Sequence, residues 1–231
     1  MVDAKTSEVF PPAMKAVATT PSSKRSLNLP NLLTYARIAA IPVVVACMYW
    51  QAILQGGLWL HWVALAIFIA AAITDFFDGY LARTWDQQSK LGRMLDPIAD
   101  KLLVASCLLM LAADETIKGW SLFAAIIILC REILVSGLRE YLADLRVSVP
   151  VSQLAKWKTV LQLVAIGFLL CGEAGDTVLS QQVLAWRWKT PDGAIPLANS
   201  VGLVLLWLSA LLTLYTGWDY FRAGMRHLTD D

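Results

Sequence analysis

Charge is scarce in this sequence. Only 16% of its 231 residues are Asp, Glu, Lys or Arg, where a soluble domain carries about a quarter. The few charges are also segregated, leaving apolar runs close to the ~20 residues that cross a bilayer, so the chain reads as an integral membrane protein. Cysteine is equally sparse. Cys47, Cys107, Cys130 and Cys171 each sit inside an apolar run with no CxxC spacing, which excludes a zinc ribbon or a secreted disulfide framework and leaves them as small buried residues. The two histidines, His61 and His227, have no metal-ligand partner nearby in sequence and read as an interfacial and a tail residue. Residues 1–25 hold Pro11, Pro12, Ser and Thr clusters and scattered charge. With no apolar h-region there, no signal peptide is expected, and the stretch reads as a disordered cytoplasmic tail ahead of one domain over 26–231. The period-two alternation of barrel strands is missing too.

What remains is helical. Six apolar spans lie at about 31–50, 58–83, 93–112, 120–141, 153–172 and 198–220, and a helix satisfies its own backbone in lipid. The expected fold is therefore an all-α membrane bundle of six transmembrane helices. An even number of crossings puts both termini on one side. Sixteen of the nineteen Lys and Arg residues fall on the terminal side, against Lys118, Arg187 and Lys189 on the other, so both termini are expected in the cytoplasm. Trp50, Trp59, Trp62, Trp120, Trp186 and Trp188 mark the outer interface, and residues 176–188 read as a short amphipathic helix lying on it. The net charge of +1 is uninformative about partners, because sidedness matters more than the sum. No nucleic acid is expected.

Against this background the stretch TDFFDGYLARTWDQQSKLGRMLDPIADK, Thr74 to Lys101, places Asp75, Asp78, Asp96 and Asp100 between two apolar runs. At 1.5 Å per residue, ~20 residues from Leu58 reach Asp78 at the cytoplasmic edge of the membrane. Asp75 and Asp78 are three apart on span two, and Asp96 and Asp100 four apart in the first turns of span three, so each pair shares a helix face. Pro97 suits an early helical position. A short connection makes the two spans antiparallel neighbours and gathers the four carboxylates. Unpaired, they would repel and resist desolvation; two divalent cations would neutralise them, and an all-oxygen donor set favours Mg²⁺ or Mn²⁺. Pairing with Arg83, Arg93 and Lys101 in a solvated loop is the simpler alternative. It does not explain the spacing, or Gly79 and Ala82 on the same face.

The run Asp75-x2-Asp78-Gly79-x2-Ala82-Arg83-x8-Gly92-x3-Asp96-x3-Asp100 resembles the signature of the CDP-alcohol phosphotransferase family without a departure. The resemblance implies a six-helix core over 31–220 and transfer of a phosphatidyl or related group from a CDP-activated donor to an alcohol, with release of CMP. It implies further that Asp75, Asp78, Asp96 and Asp100 hold two metal ions and that Asp100 also takes the acceptor's proton. Gly79, Ala82 and Gly92 would let the nucleotide approach the backbone, and Arg83 would meet phosphate oxygens.

The acceptor is read from elsewhere. Asn31, Thr34 and Arg37 open span one at three-residue spacing; polar groups there also serve as caps, and an arginine can snorkel. Arg131 and Arg139, in REILVSGLREYLA, lie about 80° apart on a helical wheel. Arg131 falls inside a span, where a charge is costly unless Glu132 neutralises it. Lys156 and Lys158 are about 200° apart, so only one can face the site. Together, Arg131, Arg139 and one lysine form a cationic pocket suited to a phosphate-bearing acceptor. The Pro-Asn-x2-Thr-x2-Arg run and this cationic set resemble the bacterial branch of the family that makes phosphatidylglycerophosphate, with Ala155 where that branch usually has glycine. That resemblance implies CDP-diacylglycerol and sn-glycerol 3-phosphate as substrates, the donor being gripped by Asn31 and Thr34 together with the signature residues. It also implies the bacterial inner membrane, and a homodimer for which Gly202 and Ser209 offer small contact residues. A cardiolipin synthase or phosphatidylinositol-phosphate synthase is the nearest alternative. A prenyltransferase fits less well given Gly79, Ala82, Arg83 and Gly92, and a transporter would need broken helices or repeated halves.

Overall fold

Each apolar run becomes a helix. The computed structural model describes residues 29–54, 57–85, 90–144, 153–182, 189–190, 193–194 and 196–229; the expected tail over 1–25 lies outside them. The helices are α1 (Leu29–Leu54), α2 (Trp59–Trp85), α3 (Lys90–Ala113), α4 (Ser121–Asp144), α5 (Gln153–Gln182) and α6 (Leu197–Thr229). The remaining regular structure among the described residues is a pair of two-residue strands, β1 (Lys189–Thr190) and β2 (Gly193–Ala194), joined antiparallel. Among the described residues three helices carry stretches long and apolar enough to cross a membrane: Leu32–Trp50, Ser121–Leu142 and Leu197–Arg222. In α2 the described apolar stretch covers Trp59–Asp75. Side chains such as Leu109, Ile133 and Val204 lie exposed on the outside of the bundle, an apolar surface suited to lipid rather than water.

Packing follows one stripe per helix. α1 buries Thr34, Arg37, Val44 and Met48, and α2 buries Leu60, Ala64, Phe68 and Ala71, each at the three- and four-residue steps of a helix face. α3 contributes Ala99, Leu103, Cys107 and Leu111, α5 Ala165, Ile166 and Leu169, and α6 Leu206 and Ala210. Neighbouring helices close a ring in the order α1, α2, α5, α6, α4, α3, with α5 also touching α3 across it.

Among the described residues α1 packs against both α2 and α3, so its polar edge faces the two acidic helices. One expectation needs correction here. Gly202 and Ser209, expected as contacts between copies, are taken up inside the bundle. Ser209 is fully buried, and a Cβ on Gly202 would meet Leu169 of α5 at 2.8 Å.

The connections are built by short-range chemistry. Between α3 and α4, Asp114 Oδ1 accepts from the Thr116 amide at 3.0 Å, and Ile117 is pulled wholly into the core. α5 breaks at Gly172, whose φ of 45° lies where a side chain is disfavoured. Just before the break, the Leu170 carbonyl accepts a hydrogen bond from His61 Nδ1 at 3.0 Å, so His61 ties α2 to the break rather than standing idle at the interface. Beyond it, residues 173–182 form a second helical segment set off by the break, covering the first part of the helix expected over 176–188; residues 183–188 lie outside those described. Asp176 Oδ1 then accepts from the Ala198 amide at 2.6 Å, capping the start of α6.

Candidate active site

The acidic stretch and the cationic set lie at one end of the bundle because the charged residues continue the core stripes. Asp75 follows Ala71 by four on α2, and Asp96 and Asp100 lead into Leu103 on α3. Arg131 and Arg139 share the α4 face of Ile128, Val135 and Leu142, and Lys158 leads into Gln162 and Ala165 on α5. Continuing a buried stripe forces each group inward, where it needs a partner.

α1 supplies two of those partners. Arg37 Nη1 meets Asp75 Oδ1 at 2.6 Å, and Thr34 Oγ1 donates to Asp96 Oδ1. Both α1 residues are buried. Asp75 lies close enough to Asp96, and Asp100 to Asp75, for their charges to interact. The three carboxylates thus gather beside the polar edge of α1. Gly92 is buried near the start of α3. Asn31, Asp78, Gly79, Ala82 and Arg83, each given a role above, have side-chain positions outside the described residues.

Among the described residues no three potential ligands are close enough to hold a metal ion. Asp78, the fourth carboxylate of the signature, is not among them. Asp75, Asp96 and Asp100 offer oxygen donors only, and their mutual charge fits hard divalent cations better than zinc.

A cavity of about 490 Å³ opens beside this acidic group. Asp100, Pro97 and Lys101 of α3 line it together with Arg131, Glu132 and Arg139 of α4, Lys156 and Lys158 of α5, and Tyr220 of α6. All four basic residues singled out in the sequence therefore border one space with Asp100. Both lysines border the cavity, although opposite helix faces were expected to admit only one, and they differ in burial. Lys158 is buried and ion-paired with Glu132, whereas Lys156 sits exposed at the margin.

Three residues that hold the bases in place escaped the sequence reading. Thr216 Oγ1 accepts from Arg131 Nη2 at 3.1 Å and donates to the Leu212 carbonyl at 2.9 Å. The Tyr220 hydroxyl accepts from Arg139 Nη2 at 3.4 Å, and its ring lies 5.8 Å from the guanidinium carbon, within cation–π range. Gly217 lets the Arg131 stem lie against α6, since a Cβ there would come within 2.9 Å of Arg131 Cγ. The available signal was the buried step Ser209, Thr213, Thr216, Tyr220 along α6, a polar stripe in an otherwise apolar helix.

A second groove, of about 640 Å³, is walled by apolar side chains of α2 and α5, among them Phe68, Ile73, Val164 and Phe168. It is separate in lining from the charged cavity.

Comparison with known proteins points the same way. The profile of the CDP-alcohol phosphatidyltransferase family matches residues 27–215. A relative from Cereibacter sphaeroides is 40% identical over 222 residues, covering 88% of this chain and 98% of its own. One from Rickettsia bellii is 43% identical over 200 residues, covering 87% and 97%, and one from Shigella flexneri serotype 5b is 37% identical over 205 residues, covering 88% and 98%. All three carry the name CDP-diacylglycerol–glycerol-3-phosphate 3-phosphatidyltransferase. The family is generally dependent on divalent metal. The aspartate signature, the helical bundle and these similarities converge: the chain belongs to the CDP-alcohol phosphatidyltransferase family.

Proposed function

We propose that this chain transfers the phosphatidyl group of CDP-diacylglycerol to a hydroxyl of sn-glycerol 3-phosphate, giving phosphatidylglycerophosphate and CMP. The observation that carries the acceptor assignment is the single cavity that has Asp100 on one wall and Arg131, Arg139, Lys156 and Lys158 on the others. A neutral alcohol has no use for such a set of cations, whereas a phosphate monoester does.

In this reading a hydroxyl oxygen of the acceptor attacks the phosphorus that bears the diacylglycerol, and the bond from that phosphorus to the CMP oxygen breaks. Asp100 takes the hydroxyl proton, a role open to a carboxylate beside the acceptor. Arg131, Arg139 and Lys158 hold the acceptor's phosphate and so aim its hydroxyl at Asp100. Asn31, Thr34, Gly79, Ala82, Gly92 and Arg83 receive the nucleotide of the donor. Asp75, Asp78, Asp96 and Asp100 would hold two Mg²⁺ or Mn²⁺ ions, which supply positive charge to the pyrophosphate and to the departing CMP.

All six helices span the bacterial inner membrane in this reading, with both termini cytoplasmic and the site at the cytoplasmic edge. Residues 26–231 form the catalytic domain behind a tail over 1–25, and the protein works as a homodimer. The uneven distribution of Lys and Arg supports the orientation. The donor then comes from the inner leaflet and the acceptor from the cytoplasm.

The test is CMP release by the purified protein with CDP-diacylglycerol and equal concentrations of glycerol 3-phosphate, glycerol, myo-inositol 1-phosphate or phosphatidylglycerol. Glycerol 3-phosphate should be preferred. Preference for inositol phosphate would keep the pocket and change the acceptor, preference for phosphatidylglycerol would indicate cardiolipin synthesis, and efficient use of free glycerol would refute the phosphate pocket.

A further inference from the structure

Glu132 is an acid lodged among bases. Five of them, Lys101, Arg131, Arg139, Lys156 and Lys158, line the cavity that it borders, where Asp100 and Glu140 are the other acids. Its Oε1 accepts from Lys158 Nζ and lies 3.6 Å from Arg131 Nη1. Lys158 is buried, and the Arg131 side chain is only 11% exposed, so both charges are costly to leave alone. Among the described residues two neutral hydroxyls also hold the pocket arginines, Thr216 on Arg131 and Tyr220 on Arg139. Those hydroxyls steady the guanidinium groups without cancelling their charge. Glu132 does cancel charge, and it does so on two of the cations that would meet a phosphate.

We infer that Glu132 is an internal anion that stands in for the acceptor's phosphate and yields Lys158 when that phosphate arrives. The inference rests on the acceptor reading above and adds a cause of selectivity to it. A carboxylate already bonded to a buried ammonium is displaced only by a partner with at least comparable charge. A phosphate monoester, close to two negative charges at neutral pH, meets that condition. Glycerol or another uncharged alcohol does not, so it faces an occupied pocket. Glu132 thereby costs the enzyme some acceptor affinity and in return excludes uncharged competitors, a form of specificity built on the unfavourable state.

The opposite role, a brace that merely orders Lys158 and Arg131 for the substrate, predicts the opposite sign, which makes the test direct. Inorganic phosphate and sn-glycerol 3-phosphate are titrated by calorimetry into the full-length protein in nanodiscs without donor, for the wild type and for Glu132→Gln. Gln keeps the size and an acceptor oxygen but removes the charge, so both ligands should bind about tenfold tighter, the difference between a charged and a neutral hydrogen bond. KM for glycerol 3-phosphate should fall by a similar factor while kcat does not rise. Unchanged or weaker binding by the variant overturns the role of Glu132 and leaves the acceptor assignment standing. Absence of binding by either ligand to either protein sinks the acceptor assignment and this inference with it. A second measurement needs no variant: in a structure of the wild type with phosphate bound, Lys158 Nζ should contact the phosphate and no longer Glu132. Lys158 still bonded to Glu132 beside a bound phosphate would overturn the inference.

Discussion

Arg37 of α1 meets Asp75 of α2 at 2.6 Å, with the arginine side chain 1% exposed and the aspartate 44%. The pair sets a buried cation against one oxygen of a carboxylate assigned to metal binding. A guanidinium and a divalent ion compete for that oxygen, so Arg37 should lower the affinity of the site for metal. Arg37→Gln is expected to bind Mn²⁺ about tenfold more tightly than the wild type, equivalent to ~1.4 kcal/mol. An electron paramagnetic resonance titration of nucleotide-free protein measures this, and equal affinities would remove Arg37 from any role at the metals.

The aspartates should separate by role. Asp78→Asn removes a ligand charge at nearly constant volume, so turnover should collapse while the protein remains folded; near-normal turnover in saturating Mg²⁺ would sink the two-metal reading. Asp100→Asn also loses the proton acceptor. Its kcat should fall by about 10²- to 10⁴-fold, with some weakening of metal binding. If donor and metal binding vanished while chemistry per bound donor stayed normal, Asp100 would be a ligand and no base.

Arg139 should matter for the acceptor and not for the donor. Charge-assisted hydrogen bonds contribute about 1.5–3 kcal/mol, so Arg139→Ala should raise KM for glycerol 3-phosphate by roughly 10- to 100-fold. Binding of CDP-diacylglycerol should hardly change. Tyr220 holds Arg139 through both its hydroxyl and its ring. Tyr220→Phe, which keeps the ring, should therefore raise KM about twofold or less, and Tyr220→Ala roughly fivefold. Equal effects of the two variants would show that the ring does not position Arg139.

Two glycines of α6 give a control on packing. A Cβ at Gly217 would press on Arg131 Cγ at 2.9 Å, and one at Gly202 would press on Leu169, with its side chain at 2.8 Å and its backbone nitrogen at 3.2 Å. Gly202→Ala forces α5 and α6 apart and should cost about 1–3 kcal/mol of stability, with no selective change in acceptor KM. Gly217→Ala should raise acceptor KM at a smaller loss of stability, because a side chain can shift where a backbone cannot. Thermal unfolding and acceptor kinetics on the same samples distinguish them.

The membrane class, the six helices and the family were legible in the sequence, because each depends on features local in the chain. Hydrophobic runs report a span without knowledge of its neighbours. The aspartates are recognisable because Asp75 through Asp100 lie on two consecutive helices at helical spacing. The phase of Lys158 was legible as well, since it stands on the same α5 stripe as Gln162, Ala165 and Leu169.

Tertiary structure decided what depends on which helix faces which. Nothing in the order of the spans says where α1 lies, yet it packs on both α2 and α3 and brings Thr34 to Asp96 and Arg37 to Asp75. Which faces bury against each other is set by the whole bundle. The same holds for Thr216 on Arg131, 85 residues away, and Tyr220 on Arg139, 81 residues away. On its own helix each is only a polar residue on a buried stripe. Its partner exists because α4 and α6 pack together, a choice made by the summed burial of apolar surface and by the cost of leaving an arginine alone in the bundle.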